Sequence, residues 1–406
     1  MNNRVVISDD NLSINRIEER CLNCGLCKKT CESQNNLCDG DCINCGACIQ
    51  TCPAGALTPV YNYKKVLNYI KDTNKIVIAN IAPAVRVAIG DEFGFEPGTF
   101  LEKELVGVLK NIGFDYVFDI AFSADVTVFE EAKEFISRLC NKTNLPQLTS
   151  CCPSWVSYVE KYHKDYIDNL SHVKSPIGIH GALVKKYFCK FNEINKDDVI
   201  NVTFAPCVSK KTEIKKHGNN DTDFILTTTE LAMMIRELEI NIKNIKQKEF
   251  DKLLGESSKN GLAFGVSGGV ANAVVRTAYY LLNNEQAPDN LIGFNDTDFY
   301  SYANIDMKKT KIKIAKVCSV KNFNLIKEQL NEFDLIEYMA CNNGCINGGG
   351  QTLLPTSKSL EYSNKRYNNL KNNNHKCLDS YENEELQTFY NTFMNEKEMN
   401  DLLHYK

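Results

Sequence analysis

Beyond about residue 60 the sequence predicts an α/β fold with a mainly parallel sheet, and three observations carry the prediction. Apolar runs of strand length recur at 75–81, 115–120, 199–204, 262–266 and 311–317. Helical patterns separate them, for example at 100–111, 124–140, 229–238 and 270–282. Such alternation puts strands side by side with helices on their faces. Thirdly, three cysteine-bearing stretches fall at or just after the ends of such segments, where sites gather in folds of this class.

Composition narrows the classes. With 406 residues, 43% of them hydrophobic, the chain can bury the core of one large domain and carry a small module besides. Neither a charged segment leading into an apolar one at the N-terminus nor an apolar run of about 18 residues is present, so a cytoplasmic protein without a membrane span is expected. Forty-seven basic residues against 51 acidic ones leave a net charge of −4, no electrostatic footprint for nucleic acid. Eighteen cysteines are many, and nine of them lie between Cys21 and Cys52. Disulfides are not expected in a cytoplasmic chain of this size, which leaves metal.

Residues 1–20 read as an N-terminal segment without chemistry. CLNCGLCKKTCE then places Cys21, Cys24, Cys27 and Cys31 in a C-x2-C-x2-C-x3-C run, and CINCGACIQTCP repeats it with Cys42, Cys45, Cys48 and Cys52, closed by Pro53. Two zinc knuckles are the alternative, but the fourth cysteine and the C-P ending recur with ferredoxin spacing. The stretch resembles the bacterial two-cluster ferredoxin, in which the fourth cysteine of each run crosses to the other cluster. That resemblance implies a small α+β module over 21–59 with one [4Fe–4S] cluster on Cys21, Cys24, Cys27 and Cys52 and another on Cys42, Cys45, Cys48 and Cys31. Cys38 is left as a spare thiol on the connection.

Three motifs punctuate the larger part, 60–406. In TSCCPSW, Pro153 biases Cys152 toward extended backbone, so Cys151 and Cys152 point to opposite sides and suggest one ligand and one free thiol. APCVSKKTE follows an apolar run and presents Cys207, with Lys210 three residues later, a cation able to hydrogen-bond an anionic ligand. EYMACNNGCINGGGQ sets Cys341 and Cys345 four apart ahead of three glycines. Thiolates are soft ligands for iron and sulfide, and bare glycine backbone can approach cluster sulfurs. Taken singly, a buried cysteine is more often a small hydrophobe and a Gly-rich loop merely flexible.

Together the three motifs, in this order behind a ferredoxin module, resemble those of the [FeFe]-hydrogenases. The resemblance implies an α/β domain of two mainly parallel-sheet lobes with the site between them. It also implies an H-cluster: a [4Fe–4S] cubane on Cys152, Cys207, Cys341 and Cys345, with Cys345 bridging to a diiron subsite that carries CO, cyanide and a dithiolate. Lys210 would hydrogen-bond a cyanide, and Cys151 would exchange protons with the dithiolate. Ala82, Pro83, Phe264 with Gly265, Ser267 to Gly269, and Met339 match segments that enclose the diiron subsite.

H2 chemistry needs protons as well as electrons. In ADVTVFEEAKEF, Glu131 and Glu134 lie three apart on one helix face, ordinarily a solvated surface. The resemblance instead makes Cys151, Glu131, Ser171 and Glu134 a proton path that reaches solvent near Arg138, with burial raising the thiol and the inner carboxyl. Two positions depart from most relatives, Ala205 before Pro-Cys and Ile177 after Ser-Pro, which marks a divergent subgroup. The ending DLLHYK resembles the family's tail, which packs along the large domain. The reading is a monomeric hydrogenase exchanging electrons with a ferredoxin and dependent on proteins that build its diiron site. Its rivals are a cubane-only iron–sulfur assembly factor, for which Cys151 has no purpose, and an H2 sensor of low turnover.

Overall fold

The computed structural model describes every residue except 1, 2, 36, 38–40, 217, 355, 374, 393–395 and 406. The spare thiol expected at Cys38 therefore lies outside the described residues. A two-stranded antiparallel sheet, β1 (Ile14–Arg16) with β2 (Leu57–Pro59), brackets the two cysteine runs. The compact unit thus takes in 14–59, and part of the stretch expected to be an N-terminal segment is its first strand. One apolar side chain in three is too little pattern to read as a strand. It becomes one because Ile14 is buried with Val5, Ile49 and Leu57.

The large domain holds two further sheets. In the first, β3 (Ile76–Ile81), β4 (Tyr116–Asp119), β6 (Val199–Ala205) and β7 (Phe224–Thr227) run parallel in the order β4-β3-β6-β7. β3 is apolar along almost its whole length because both faces are covered. Val77, Ala79 and Ile81 pack with Leu105 and Leu109 of the helix Lys103–Ile112. Ile78 faces the other way, against Phe122, Val126 and Ile179. With β4 on one side of β3 and β6 on the other, the strand order reverses at the β3–β6 pair, and a crevice opens at their carboxyl ends.

The second sheet is ordered β5-β11-β10-β9-β8. β5 (Gln147–Leu148), β11 (Leu335–Met339) and β10 (Lys311–Cys318) are parallel, while β9 (Tyr300–Asp306) runs antiparallel to β10 and β8 (Asn295–Asp296) antiparallel to β9 at the margin. Four residues link β9 to β10, closed by Met307 N–H donating to Thr310 O at 2.8 Å, and so short a link permits only a hairpin.

Between the lobes runs one long helix, Ile120–Asn141. It starts four residues earlier than its pattern suggests because Asp119 caps it, accepting from Ala121 N–H at 2.8 Å. Phe122 and Val126 enter the first lobe's core, and Ala124, Val128 and Phe135 enter the second's. The strand expected at 262–266 is instead helical, Lys259–Leu262 followed by a 3-10 turn Ala263–Gly265. Ser258 caps this segment through Gly261 N–H, and both its hydroxyl and its amide are held by Asp125, so the apolar run is fixed against the long helix rather than in a sheet. Near the C-terminus Leu402 and Leu403 are buried in the first lobe's core. No described helix is long and apolar enough to cross a membrane.

Candidate active site

The carboxyl ends of the parallel strands of both sheets face one cavity. Ala82 and Pro83 reach it after β3, and Ala205, Cys207 and Lys210 at and beyond the end of β6. Cys151 and Cys152 enter after β5, Met339 and Cys341 at and beyond the end of β11, and Cys345 just past them. Ile177, from the helix Pro176–Ala182, and Phe264 with Gly265 complete a mainly apolar wall. Ser267 and Gly268 stand behind it, Gly268 N–H donating to the buried carboxylate of Glu337 at 2.6 Å.

Cys152 is the cap of the helix Pro153–Tyr162 and has extended backbone, as the following proline dictates. Trp155 Nε1 donates to Thr149 O at 3.1 Å and fixes that turn. Cys152 lies among Cys45, Cys207, Cys341 and Cys345, and Cys151 lies beside Glu131. Four soft donors around one volume fit a polynuclear iron–sulfur cluster. Among the described residues no three His, Cys, Asp or Glu side chains converge on a single ion.

Lys210 Nζ donates to the Cys151 carbonyl at 3.1 Å and stands 2.7 Å from Glu213 Oε2. Burial alone would lower this ammonium, but Glu213 outweighs it and the group stays cationic. Glu213 was not among the expected residues. Its only signal is the three-residue spacing from Lys210 on one helical turn.

The small module meets the cavity from behind. A hollow is lined by Cys31, Cys42, Cys45 and Cys48, so the fourth cysteine of the first run sits with three of the second. Asn35, buried and also unexpected, places Nδ2 3.2 Å from Cys45 Sγ and 3.9 Å from Cys31 Sγ. The module docks glycine to glycine: a Cβ on Gly349 would stand 2.5 Å from Gly46 Cα and 2.6 Å from Cys45 O. Gly349→Ala is accordingly expected to lower stability by about 1–3 kcal/mol, read as a lower thermal midpoint. An unchanged midpoint would contradict this close approach.

On the other side of the cavity the acidic residues line up. Glu131 is fully buried, and neither of its carboxylate oxygens has a hydrogen-bond partner among the described residues. Burial, joined by the charge of Glu134, pushes its carboxyl up to about 8. Ser171 Oγ donates to Glu134 Oε2 at 2.6 Å, and Arg138 Nη2 to Oε1 at 2.8 Å. Burial works to raise Glu134 as well, yet His172, Arg138 and Ser171 together hold it down at about 2. His172 is the partner the sequence did not signal, because its contact is made across elements.

Comparison with known proteins follows the same lines. Residues 75–349 match the family described as the iron only hydrogenase large subunit, C-terminal domain, and 39–58, which hold Cys42 to Cys52, match a 4Fe-4S binding domain. The periplasmic [Fe] hydrogenase large subunit of Nitratidesulfovibrio vulgaris is 38% identical over 299 residues, 70% of this chain and 71% of that protein. The cytosolic iron-sulfur assembly component 3 of Pongo abelii is 29% identical over 322 residues, 73% of this chain and 67% of that protein. A solved structure of the [FeFe]-hydrogenase of Chlamydomonas reinhardtii superposes with a TM-score of 0.75 at 28% identity, covering 85% of this chain and 98% of that one. The matches span little more than half, 57% and 54%, of two further hydrogenase relatives. With its cysteine motifs gathered on one cavity and a match that covers more than half of its length, the chain belongs to the iron-only hydrogenase family.

Proposed function

We propose that the protein is a hydrogenase that interconverts H2 with protons and electrons. The observation that carries this reading is one cavity with cluster-type thiols on one side and, on the other, a thiol beside a buried unpaired carboxyl. The cofactors of the family are [4Fe–4S] clusters and an H-cluster. Cys152, Cys207, Cys341 and Cys345, which line that cavity, would hold the H-cluster. When bound, that group supplies the iron site at which H2 is made or split. Lys210 presents a fixed cation to its anionic ligands, and the apolar wall of Ala82, Pro83, Phe264 and Met339 excludes water.

Cys151 takes and gives the proton at the cavity and exchanges it with Glu131, which burial keeps protonated near neutral pH. From there it passes over Ser171 to Glu134. In the small module Cys21, Cys24, Cys27 and Cys52 would hold an outer cluster and Cys31, Cys42, Cys45 and Cys48, which line one hollow, an inner one, and these clusters would supply the route for electrons. A ferredoxin in the cytoplasm is the proposed carrier, and dedicated maturation proteins supply the diiron subsite. Infrared spectroscopy of matured protein, in the region where metal-bound CO and cyanide absorb, tests the reading beside an H2-evolution assay. Bands that shift under H2 together with turnover support it. Absence of bands from verifiably matured protein favours the role named by the assembly-component relative, and bands with very slow turnover favour a sensor.

The inner cluster also carries a prediction. Its buried Asn35 amide donates toward two thiolates, and such bonds stabilise the reduced, more negative cluster. Asn35→Leu should therefore move that cluster's reduction potential to more negative values in an EPR-monitored redox titration. No shift, or a positive one, refutes the assignment.

A further inference from the structure

Three groups meet on one carboxylate at the outer end of the acidic row. Besides Ser171 on Oε2, Glu134 accepts at Oε1 from Arg138 Nη2 at 2.8 Å and from His172 N–H at 3.1 Å, while the imidazole Nδ1 of His172 stands 3.1 Å from the same oxygen. A guanidinium does not release a proton in the physiological range. Moreover, Arg138 gives three further N–H bonds to the carbonyls of Asn144, Asn169 and Leu170 at 2.8–3.0 Å, which makes it a clamp on two loops. His172 is placed differently. Its side chain is 59% exposed and lines a surface hollow with Glu134 and His404, and imidazole is the side chain that titrates near neutral pH.

We propose that His172 is the group through which the proton route exchanges with solvent, while Arg138 holds the Glu134 carboxylate in place. This deepens, and rests on, the hydrogenase reading. Inward, the neutral ring that carries Nδ1–H takes a proton from solvent at Nε2 and gives the Nδ1 proton to Glu134 Oε1, which leaves the neutral Nε2–H tautomer; solvent exchange at the exposed ring returns the proton to Nδ1 and resets it, and outward the same bonds break and form in reverse. The surroundings suit the task. Glu134, held near 2, stays ionised and carries a proton only in passing. The same carboxylate raises His172 above its usual value against burial and the repulsion of Arg138, with help from Asp168. Across the hollow, Glu130 is already engaged by Lys133, Tyr390 and His404, so it does not compete for the ring.

The test compares matured wild type with His172→Ala in H2 evolution against pH, with saturating reduced carrier. The variant is expected to lose at least about tenfold in rate at neutral pH and to lose the limb of the pH profile that belongs to imidazole, and added imidazole should restore part of both. In 15N-histidine NMR, His172 should titrate above an ordinary histidine and fall in Glu134→Gln. A His172→Ala protein with the wild-type rate and profile overturns the proposal, as does a histidine titration that ignores Glu134→Gln. A wild type that carries its clusters yet evolves no H2 overturns the hydrogenase reading instead, so the two failures are distinguishable.

Discussion

With Cys151 replaced by alanine, matured protein is expected to keep its CO and cyanide bands and its [4Fe–4S] signals while evolving H2 about 10²–10⁴-fold more slowly, the usual loss when a positioned acid–base group is removed. Retention of the clusters is expected because Cys151 is not one of the four thiols assigned to hold them. Its neighbour Cys152 lies among the thiols of the inner module and the second lobe, whereas Cys151 lies against Glu131 and packs with the core around the long helix. The loop itself survives, since Lys210 binds the backbone carbonyl of residue 151 and not its side chain. Loss of the infrared bands would instead make Cys151 a ligand. Near-normal H2 evolution would remove it from the proton route.

Glu131→Gln carries the second large effect, and it shows in two measurements. As the step between Cys151 and Ser171, the carboxyl cannot be replaced by an amide without a comparable loss of rate. Its titration also marks stability. The carboxyl rises from the usual 4.5 to about 8 in the fold, chiefly through burial. Between these values the native chain holds a proton that the unfolded chain has lost, so this contribution is complete below about pH 4.5 and is lost as pH rises through about 8. Unfolding free energy should therefore fall across that window in the wild type, on the order of a few kcal/mol, and fall far less in Glu131→Gln. Glu130 and Glu134, both held at about 2, act in the opposite sense and in a separate window, since their contribution is lost only as pH drops below 4.5. Denaturant melts at pH 5 and pH 9 check this, and an equal loss of unfolding free energy in both proteins would show that Glu131 is not buried as a neutral acid.

The sequence disclosed most where chemistry restricts residue type. Thiol motifs such as TSCCPSW stand out because few side chains bind iron, and β3 stood out because a strand covered on both faces has to be apolar. The segment 262–266 misled because a short apolar run looks alike in a sheet and in a buried turn, and only the grip of Asp125 on Ser258 decides between them. β1 was invisible because its single inward residue, Ile14, forms no pattern until the fold buries it in one cluster with Val5, Ile49 and Leu57. Glu213 had at least a spacing to reveal it. Asn35 and His172 had none, as each acts on a sulfur or a carboxylate brought to it by tertiary packing.

The four thiols of the large cavity come from both lobes, at positions 152, 207, 341 and 345, whereas those of the small module are complete by residue 52. During synthesis the module can therefore close on its clusters while most of the chain is still being made. The cavity has no full set of donors until the last motif has emerged and β11 has taken its place between β5 and β10. Loading of the second site is consequently an event of the finished chain, and a ribosome-released truncation ending before residue 341 is left with iron–sulfur wiring and nowhere for it to lead.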